Sequence, residues 1–212
     1  MSDLKPAISK NSLILGLFAI ACTAAVGLVN LYTKDRIEVQ AQQQLIKQLN
    51  EIVAKNKHDN EMFRDCIKAP DTNSNLFIDV IYRARLNNTP TAAAIKTVAP
   101  NGYSGNIELL IAVNTDGSVS GVRTLQHKET PGLGDKIELR KSDWITKFSG
   151  KKVLNKKDSR WAVVKDGGMF DQFTGATITP RAIVETVKKT VDYFKANQSQ
   201  IFSTASNCGA KS

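Results

Sequence analysis

Ile107-Glu108-Leu109-Leu110-Ile111-Ala112-Val113, the turn Asn114-Thr115-Asp116-Gly117, and the run Val119 to Leu125 decide the fold. Two stretches dense in aliphatic and β-branched residues flank a cluster of turn formers, and Asp-Gly supplies the positive φ that a tight hairpin needs. Strands joined by so short a turn are antiparallel, since a parallel pair needs a crossover of a dozen residues or more. Working outward, Leu76 to Arg85 and Ala92 to Val98 read as two more strands around Asn87-Asn88-Thr89-Pro90. Trp161 to Val164 reads as a further strand, and Lys136 to Phe148, with Trp144, as short helices. Near the end, Thr179-Pro180 places a capping hydroxyl before a proline at the first helical position. Ile183, Val184, Val187, Val191 and Phe194 then recur on one face of an amphipathic helix. The fold class is therefore α+β, one mostly antiparallel sheet with packed helices.

The N-terminal part follows different physics. Asn11 to Thr33 carries no charge and is apolar or small through Leu13 to Val29, with Tyr32 where an interfacial aromatic belongs. Roughly 20 such residues, rising ~1.5 Å each, cross a ~30 Å hydrocarbon core. Ala19-Ile20-Ala21-Cys22 has a faint look of a cleavage site, yet apolar residues continue past it to Val29, which favours an uncleaved anchor. Lys5 and Lys10 before the run balance Lys34 and Arg36 after it, so charge leaves the orientation open. From Ile37 to Lys55 the chain is Gln-rich, and Leu45, Ile46, Leu49, Ile52 and Val53 sit at helical spacing. The expected organisation is a tail over 1–10, a transmembrane helix over 11–33, a helical stem over 34–70 and a folded domain with a C-terminal tail over 71–212. The polar stretch Ala69 to Ser74 marks the boundary.

Several function classes lose their support. The net charge of +9 is scattered, with only short clusters such as Lys151-Lys152 and Lys156-Lys157 standing out, and no nucleic-acid signature accompanies it. His58 and His127 are the two histidines, and no cluster has metal-ligand spacing. Neither a nucleophile elbow nor a dinucleotide or Walker loop is present. Of the cysteines, Cys22 lies in the apolar run. Cys66 and Cys208 are a candidate disulfide if the domain occupies an oxidising compartment, with two unrelated thiols the alternative.

What remains is Asp171-Gln172-Phe173-Thr174-Gly175-Ala176-Thr177-Ile178-Thr179-Pro180, a small-residue loop that runs into a helix start. The first-turn amides of a helix lack intrahelical partners and carry the positive end of its dipole, so a phosphate near Thr177 would meet waiting donors. A capping threonine explains part of the same pattern without any ligand. The second distinctive loop, His127-Lys128-Glu129-Thr130-Pro131-Gly132-Leu133-Gly134-Asp135-Lys136, has two glycines and a proline that fix an unusual backbone path. By itself it is a turn.

Taken together with the anchor, these loops resemble the FMN-binding domain family, and within it the G subunits of the Rnf (Rsx) ion-translocating electron-transport complexes. Related subunits of the sodium-translocating NADH:quinone reductase carry a similar motif. The likeness runs through Gly102-Tyr103-Ser104-Gly105, the loop from His127, Ser142-Asp143-Trp144-Ile145, Trp161-Ala162-Val163 and the segment from Asp171 to Pro180. It implies FMN joined through its phosphate to Thr177, with Thr174, Gly175 and Ala176 completing the motif and Asp171 in the recognition pattern. His127, Glu129, Thr130 and Leu133 are the expected surroundings of the flavin. A flavin transferase would install the group from FAD with Mg²⁺, which places the domain in the periplasm, the tail in the cytoplasm and the anchor in the inner membrane. The implied partners are the other membrane subunits and the iron-sulfur subunits that connect ferredoxin and NAD(H). Two readings compete: a cofactor-free structural subunit, and an exported enzyme with Thr177 as nucleophile, for which no neighbouring base is visible.

Overall fold

A computed structural model describes residues 4–69 and 76–208, so most of the expected boundary loop, from Pro70 on, lies outside the described residues. The chain divides into two compact units, Met1–Leu45 and Ile46–Ser212. Helix α1 spans Leu4–Ile52, and its first part makes up the first unit. Leu13, Leu15, Phe18, Ile20, Val26, Leu28 and Leu31 are all exposed along it, and an 18-residue window reaches a mean hydropathy of 2.4. Apolar surface of that extent is stable in hydrocarbon and not in water. The hydroxyls of Thr23 and Thr33 donate to the carbonyls of Ala19 and Val29, so neither is left unpaired in an apolar environment.

The second unit is built on a five-stranded antiparallel meander in the order β1-β2-β3-β4-β5. The strands are β1 (Cys66–Lys68), β2 (Phe77–Leu86), β3 (Thr89–Gly102), β4 (Gly105–Asn114) and β5 (Val119–Gln126). The β2–β3 connection is a two-residue primed turn, in which Asn87 and Asn88 both take positive φ, 48° and 62°. At the hairpin from Asn114, by contrast, Gly117 alone has positive φ. The amides of Gly117 and Asn114 donate to the carbonyls of Asn114 and Ser118, giving a three-residue loop that ends in a glycine bulge.

Both faces of the sheet are covered. On one face Ile81, Ile95, Leu109, Ile111 and Val122 pack with Ile183, Val187, Val191 and Phe194 of helix α2 (Ile178–Ser203) and with the aromatic cluster Trp144, Phe148, Trp161, Phe170 and Phe173. The opposite face carries a row of small residues, Ala94, Ala112 and Gly121, in register across β3, β4 and β5. Ile52 at the end of α1 seats there, and Ser120 donates to its carbonyl at 2.6 Å. Leu49, Ile52 and Val53 are buried, so the last turns of the expected stem belong to the core of the domain.

Three details differ from the sequence expectations. Helix α1 stops at Ile52 and strand β1 begins at Cys66, so the chain is not helical to residue 70 and the compact unit begins before residue 71. Trp161 to Val164 forms a single parallel bridge, Val163 to Phe170, followed by a 3-10 turn over Val164–Asp166; its aromatic content serves the core cluster instead of a sheet ladder. Helix α2 starts at Ile178 with Thr177 as its N-cap, which puts Pro180 inside the first turn, where a missing N–H costs nothing.

At the far end of α2 the guanidinium of Arg83, almost fully buried, donates to the carbonyls of Ile201 and Thr204 and pairs with Asp65. Arg85 donates to the Phe202 carbonyl at 3.0 Å. The tail beyond runs along β1, where the amides of Cys66 and Lys68 donate to the Ser206 hydroxyl and the Asn207 side chain, and Cys66 is disulfide-bonded to Cys208. A Cβ added at Gly121 would meet Ile52 atoms at 3.0 to 3.2 Å. Gly121→Val should therefore destabilise the domain by about 1–3 kcal/mol, as overpacking does, read as a lower denaturation midpoint.

Candidate functional site

The loop before α2 is positioned by an aromatic anchor. Trp144 sits in the 3-10 helix Asp143–Phe148, where its backbone amide is capped by the Ser142 hydroxyl. Its indole packs edge-on against Phe148 and Phe173, and its Nε1–H donates to the Asp171 carbonyl at 2.7 Å. Asp171 is thereby held by its backbone while its side chain is exposed.

From Phe173 the chain makes a tight turn. The Ala176 amide donates to the Phe173 carbonyl at 3.1 Å, and Gly175 takes φ +80°, the left-handed conformation required at the third position of a type II turn. Thr174 and Gly175 at its tip are exposed, and Ala176 and Thr177 are half-buried. Thr177 adopts helical backbone angles as N-cap of α2 and its side chain makes no capping bond; its carbonyl accepts the Arg181 amide at 3.3 Å. Beside this turn, Arg181 forms a two-pronged bond with Asp166, at 2.7 and 2.9 Å, that holds the Asp166 carboxyl below the usual carboxylate range.

The second loop comes to the same place. A Cβ on Gly175 would lie 3.5 Å from Leu133 Cδ2, so the two motifs, about forty residues apart in sequence, touch at Leu133. The Thr130 carbonyl accepts the amides of Leu133 and Gly134, and the Gly132 amide donates to the buried Asp135 carboxylate. His127 is committed within the loop: Nδ1 accepts the Glu129 amide at 3.0 Å, so a neutral ring carries its proton on Nε2, which lies 2.9 Å from Glu138. Arg140 foremost, against the opposing effect of burial and with His127 adding to it, holds the Glu138 carboxyl below its ordinary range.

Glu129 joins the site to the sheet. Its side chain is buried; Oε1 accepts the Ser104 amide at 3.0 Å, and Oε2 accepts the Thr179 hydroxyl at 2.5 Å. The hydroxyl expected from the sequence to cap the helix thus faces a carboxylate from another loop. Glycine is required on both sides: a Cβ at Gly102 would meet the Gly105 carbonyl oxygen at 2.3 Å and Glu129 Oε1 at 2.9 Å, and one at Gly134 would meet Glu129 Oε2 at 2.7 Å. Of the expected site residues, Thr174, Gly175, Ala176, Thr177 and Leu133 gather at the tip of the loop and the start of α2. His127 and Glu129 spend their polar atoms inside the protein, and Thr130 and Pro131 are exposed. Trp144, Ser104 and Thr179 enter as supports, in roles that pattern reading does not assign to them. An indole donor aimed at a backbone carbonyl leaves no periodic trace in sequence.

Comparison with known proteins covers this same region. Residues 102–192 match the FMN-binding domain, and residues 1–52 match the RnfG N-terminal region. The chain is 50% identical to the G subunit of the ion-translocating oxidoreductase complex of Aliivibrio fischeri (strain ES114), over 96% of this chain and 98% of that protein. It belongs to the family of these G subunits. Those of Shewanella loihica, 50% identical over 97% of this chain and 98% of theirs, and of Pseudoalteromonas atlantica, 49% identical over 97% and 96%, agree. The FMN-binding match opens at Gly102, beside Glu129, and runs into α2 as far as Asp192, so it encloses the contacts of the two loops and the helix start.

Trp144→Phe keeps most of the aromatic packing and removes the donor to Asp171. It should lower stability by roughly 0.5–1.5 kcal/mol, the net worth of the hydrogen bond lost, and accelerate amide exchange from Asp171 to Thr177. Exchange confined to its wild-type rate across that segment would show that the indole does not hold it.

Proposed function

We propose that this chain is the flavin-carrying electron relay of a membrane complex, with FMN attached through a phosphoester to the Thr177 hydroxyl. The observation that carries the reading is the state of that hydroxyl. It stands at the N-cap of a 26-residue helix without a capping bond, next to an exposed positive-φ turn with no bulk at Gly175. Thr179 has its hydroxyl committed to Glu129, and Thr174 sits on the turn instead of the helix end. The donor set suits a phosphate: first-turn amides of α2 and the positive end of its dipole.

Attachment from FAD balances without an oxidant. The Thr177 oxygen bonds to the flavin-side phosphorus, the pyrophosphate bond breaks, AMP departs, and the hydroxyl proton goes to a base of the flavin transferase. The exposed Asp171 side chain is accessible for such an enzyme to read. Bound there, FMN supplies one- and two-electron redox chemistry. The chain's own part is to hold the phosphate at the helix start and to offer the apolar side chains of Leu133 and Ile178, each nearly half exposed, beside it. Attachment also keeps the cofactor at a fixed effective concentration in a compartment from which free FMN would diffuse away.

The same reading puts α1 across the inner membrane with the domain in the periplasm. The Cys66–Cys208 disulfide supports that side, because structural disulfides persist in oxidising compartments. Its place in the complex would be among the other membrane and iron-sulfur subunits, passing electrons between the ferredoxin and NAD(H) side and a coupled ion movement. The competing reading as a cofactor-free structural subunit predicts a colourless protein and full complex function in Thr177→Val.

Two measurements test the proposal. Protein from native membranes should run as an ultraviolet-fluorescent band on a denaturing gel, and its intact mass should exceed the chain mass by FMN less one water. Thr177→Val should abolish both; fluorescence that persists in that variant excludes Thr177 as the anchor. Separately, thiol labelling of denatured, unreduced protein should modify Cys22 and leave Cys66 and Cys208 unlabelled, whereas labelling of all three would remove the support for a periplasmic domain.

A further inference from the structure

Glu129 is more buried than a carboxylate is expected to be, and it is held by hydrogen bonds from two separate segments, Ser104 at the β3–β4 turn and Thr179 in the first turn of α2. Buried carboxylates are costly unless fully satisfied, so an arrangement that keeps one here has to be read as a constraint. Three segments are fixed relative to one another through its two oxygens: the hairpin tip, its own loop with Leu133 against Gly175, and the helix start two residues from Thr177.

We propose that Glu129 is the positioning residue of the attachment site: through Thr179 it fixes the first turn of α2, and with it the Thr177 hydroxyl, in the geometry that accepts the flavin phosphate. The inference rests on Thr177 being the attachment point. It departs from the expectation that Glu129 surrounds the flavin, since both its oxygens are already taken by the protein. The positions on either side of the carboxylate are glycine, Gly102 and Gly134, where any side chain would occupy the space of its oxygens. Thr179 is fully buried, so the contact is sheltered from competing water. Group transfer is sensitive to placement of the attacking oxygen, and a displacement of about 1 Å can cost roughly a hundredfold in rate.

Chemistry separates positioning from mere folding. Gln at this place can accept from the Ser104 amide with its oxygen and donate to the Thr179 hydroxyl with its nitrogen, because a hydroxyl can rotate to accept. Glu129→Gln therefore keeps both links, Glu129→Ala removes both, Thr179→Val removes one at constant shape, and Thr179→Ser keeps it.

The experiment uses the full chain in detergent, with purified flavin transferase, FAD and Mg²⁺, at a temperature below the melting point of every variant. Loading is followed by intact mass, and amide exchange is measured on the unloaded chains. Thr179→Val and Glu129→Ala should load at least tenfold more slowly than the unaltered chain, and Thr179→Ser and Glu129→Gln within about threefold of it. The Ser104 amide should exchange at least tenfold faster in Glu129→Ala and at its normal rate in Glu129→Gln. Wild-type loading in Thr179→Val and Glu129→Ala would overturn the inference, as would a loss that Thr179→Ser and Glu129→Gln share, or unchanged exchange at Ser104. In each of those cases loading of the unaltered chain and its absence in Thr177→Val leave the attachment itself standing. An unaltered chain that takes up no flavin would overturn the attachment and this inference together.

Discussion

One buried carboxylate, Glu129, holds together parts of the molecule that are far apart in sequence. The tip of the β3–β4 hairpin, the glycine-rich loop after β5 and the first turn of α2 each present a polar group or a glycine to it. A carboxylate without donors would not remain in such a place, so the three segments assemble together or not at all. This gives the two loop motifs a common physical cause: Gly134 of one clears space for an acid that the threonine of the other satisfies.

The sheet behind this junction needs cover on both faces, and the chain provides it from opposite ends. Helix α2 brings a conventional apolar face to β3 and β4, with Ile183, Val187, Val191 and Phe194 fully buried. On the other side Gly121 admits Ile52, the final residue of α1. The end of α1, from Ile46, is thus a structural element of the domain. The C-terminal end of α2 is treated with equal care, since Arg83 and Arg85 satisfy carbonyls that a helix end leaves open and Asp65 holds the arginines in turn. With the Thr179–Glu129 bond at one end and this arginine pair at the other, both termini of the same helix are specified by tertiary contacts.

Much of this is legible in the sequence, for reasons that can be named. The apolar run, the alternating strands around Asn87-Asn88 and Asn114 to Gly117, and the amphipathic face of α2 are local patterns, and local patterns survive in one dimension. Strand β1 escapes such a reading because three residues, Cys66–Lys68, carry too little pattern. Trp161 to Val164 looks like a strand because aromatic and β-branched residues signal a sheet, whereas here they fill an aromatic cluster. Thr179-Pro180 fits the capping rule, yet the N-cap lies two residues earlier, because the partner that claims the Thr179 hydroxyl, Glu129, is fifty residues upstream. The resemblance points to the residues of the site and is silent on how they are supported. Trp144 bonding a main-chain carbonyl and Ser104 offering a main-chain amide are contacts of shape and not of spacing.

Three threonines lie within six residues, and the fold assigns them different environments. Thr174 occupies the second position of an exposed turn, where its side chain projects from a segment with no helix dipole behind it. Thr179 is fully buried and bonded to an acid, so a phosphate there would meet like charge in a confined space. Thr177 falls between them, far enough into the helix start to use its amides and far enough out to be reached. The turn at Gly175 and the start of α2 together place these neighbours in solvent, at the helix end and in the core. The carboxylate that sets Thr179 against a phosphate is the same group that, in the attachment proposed above, fixes the turn presenting Thr177.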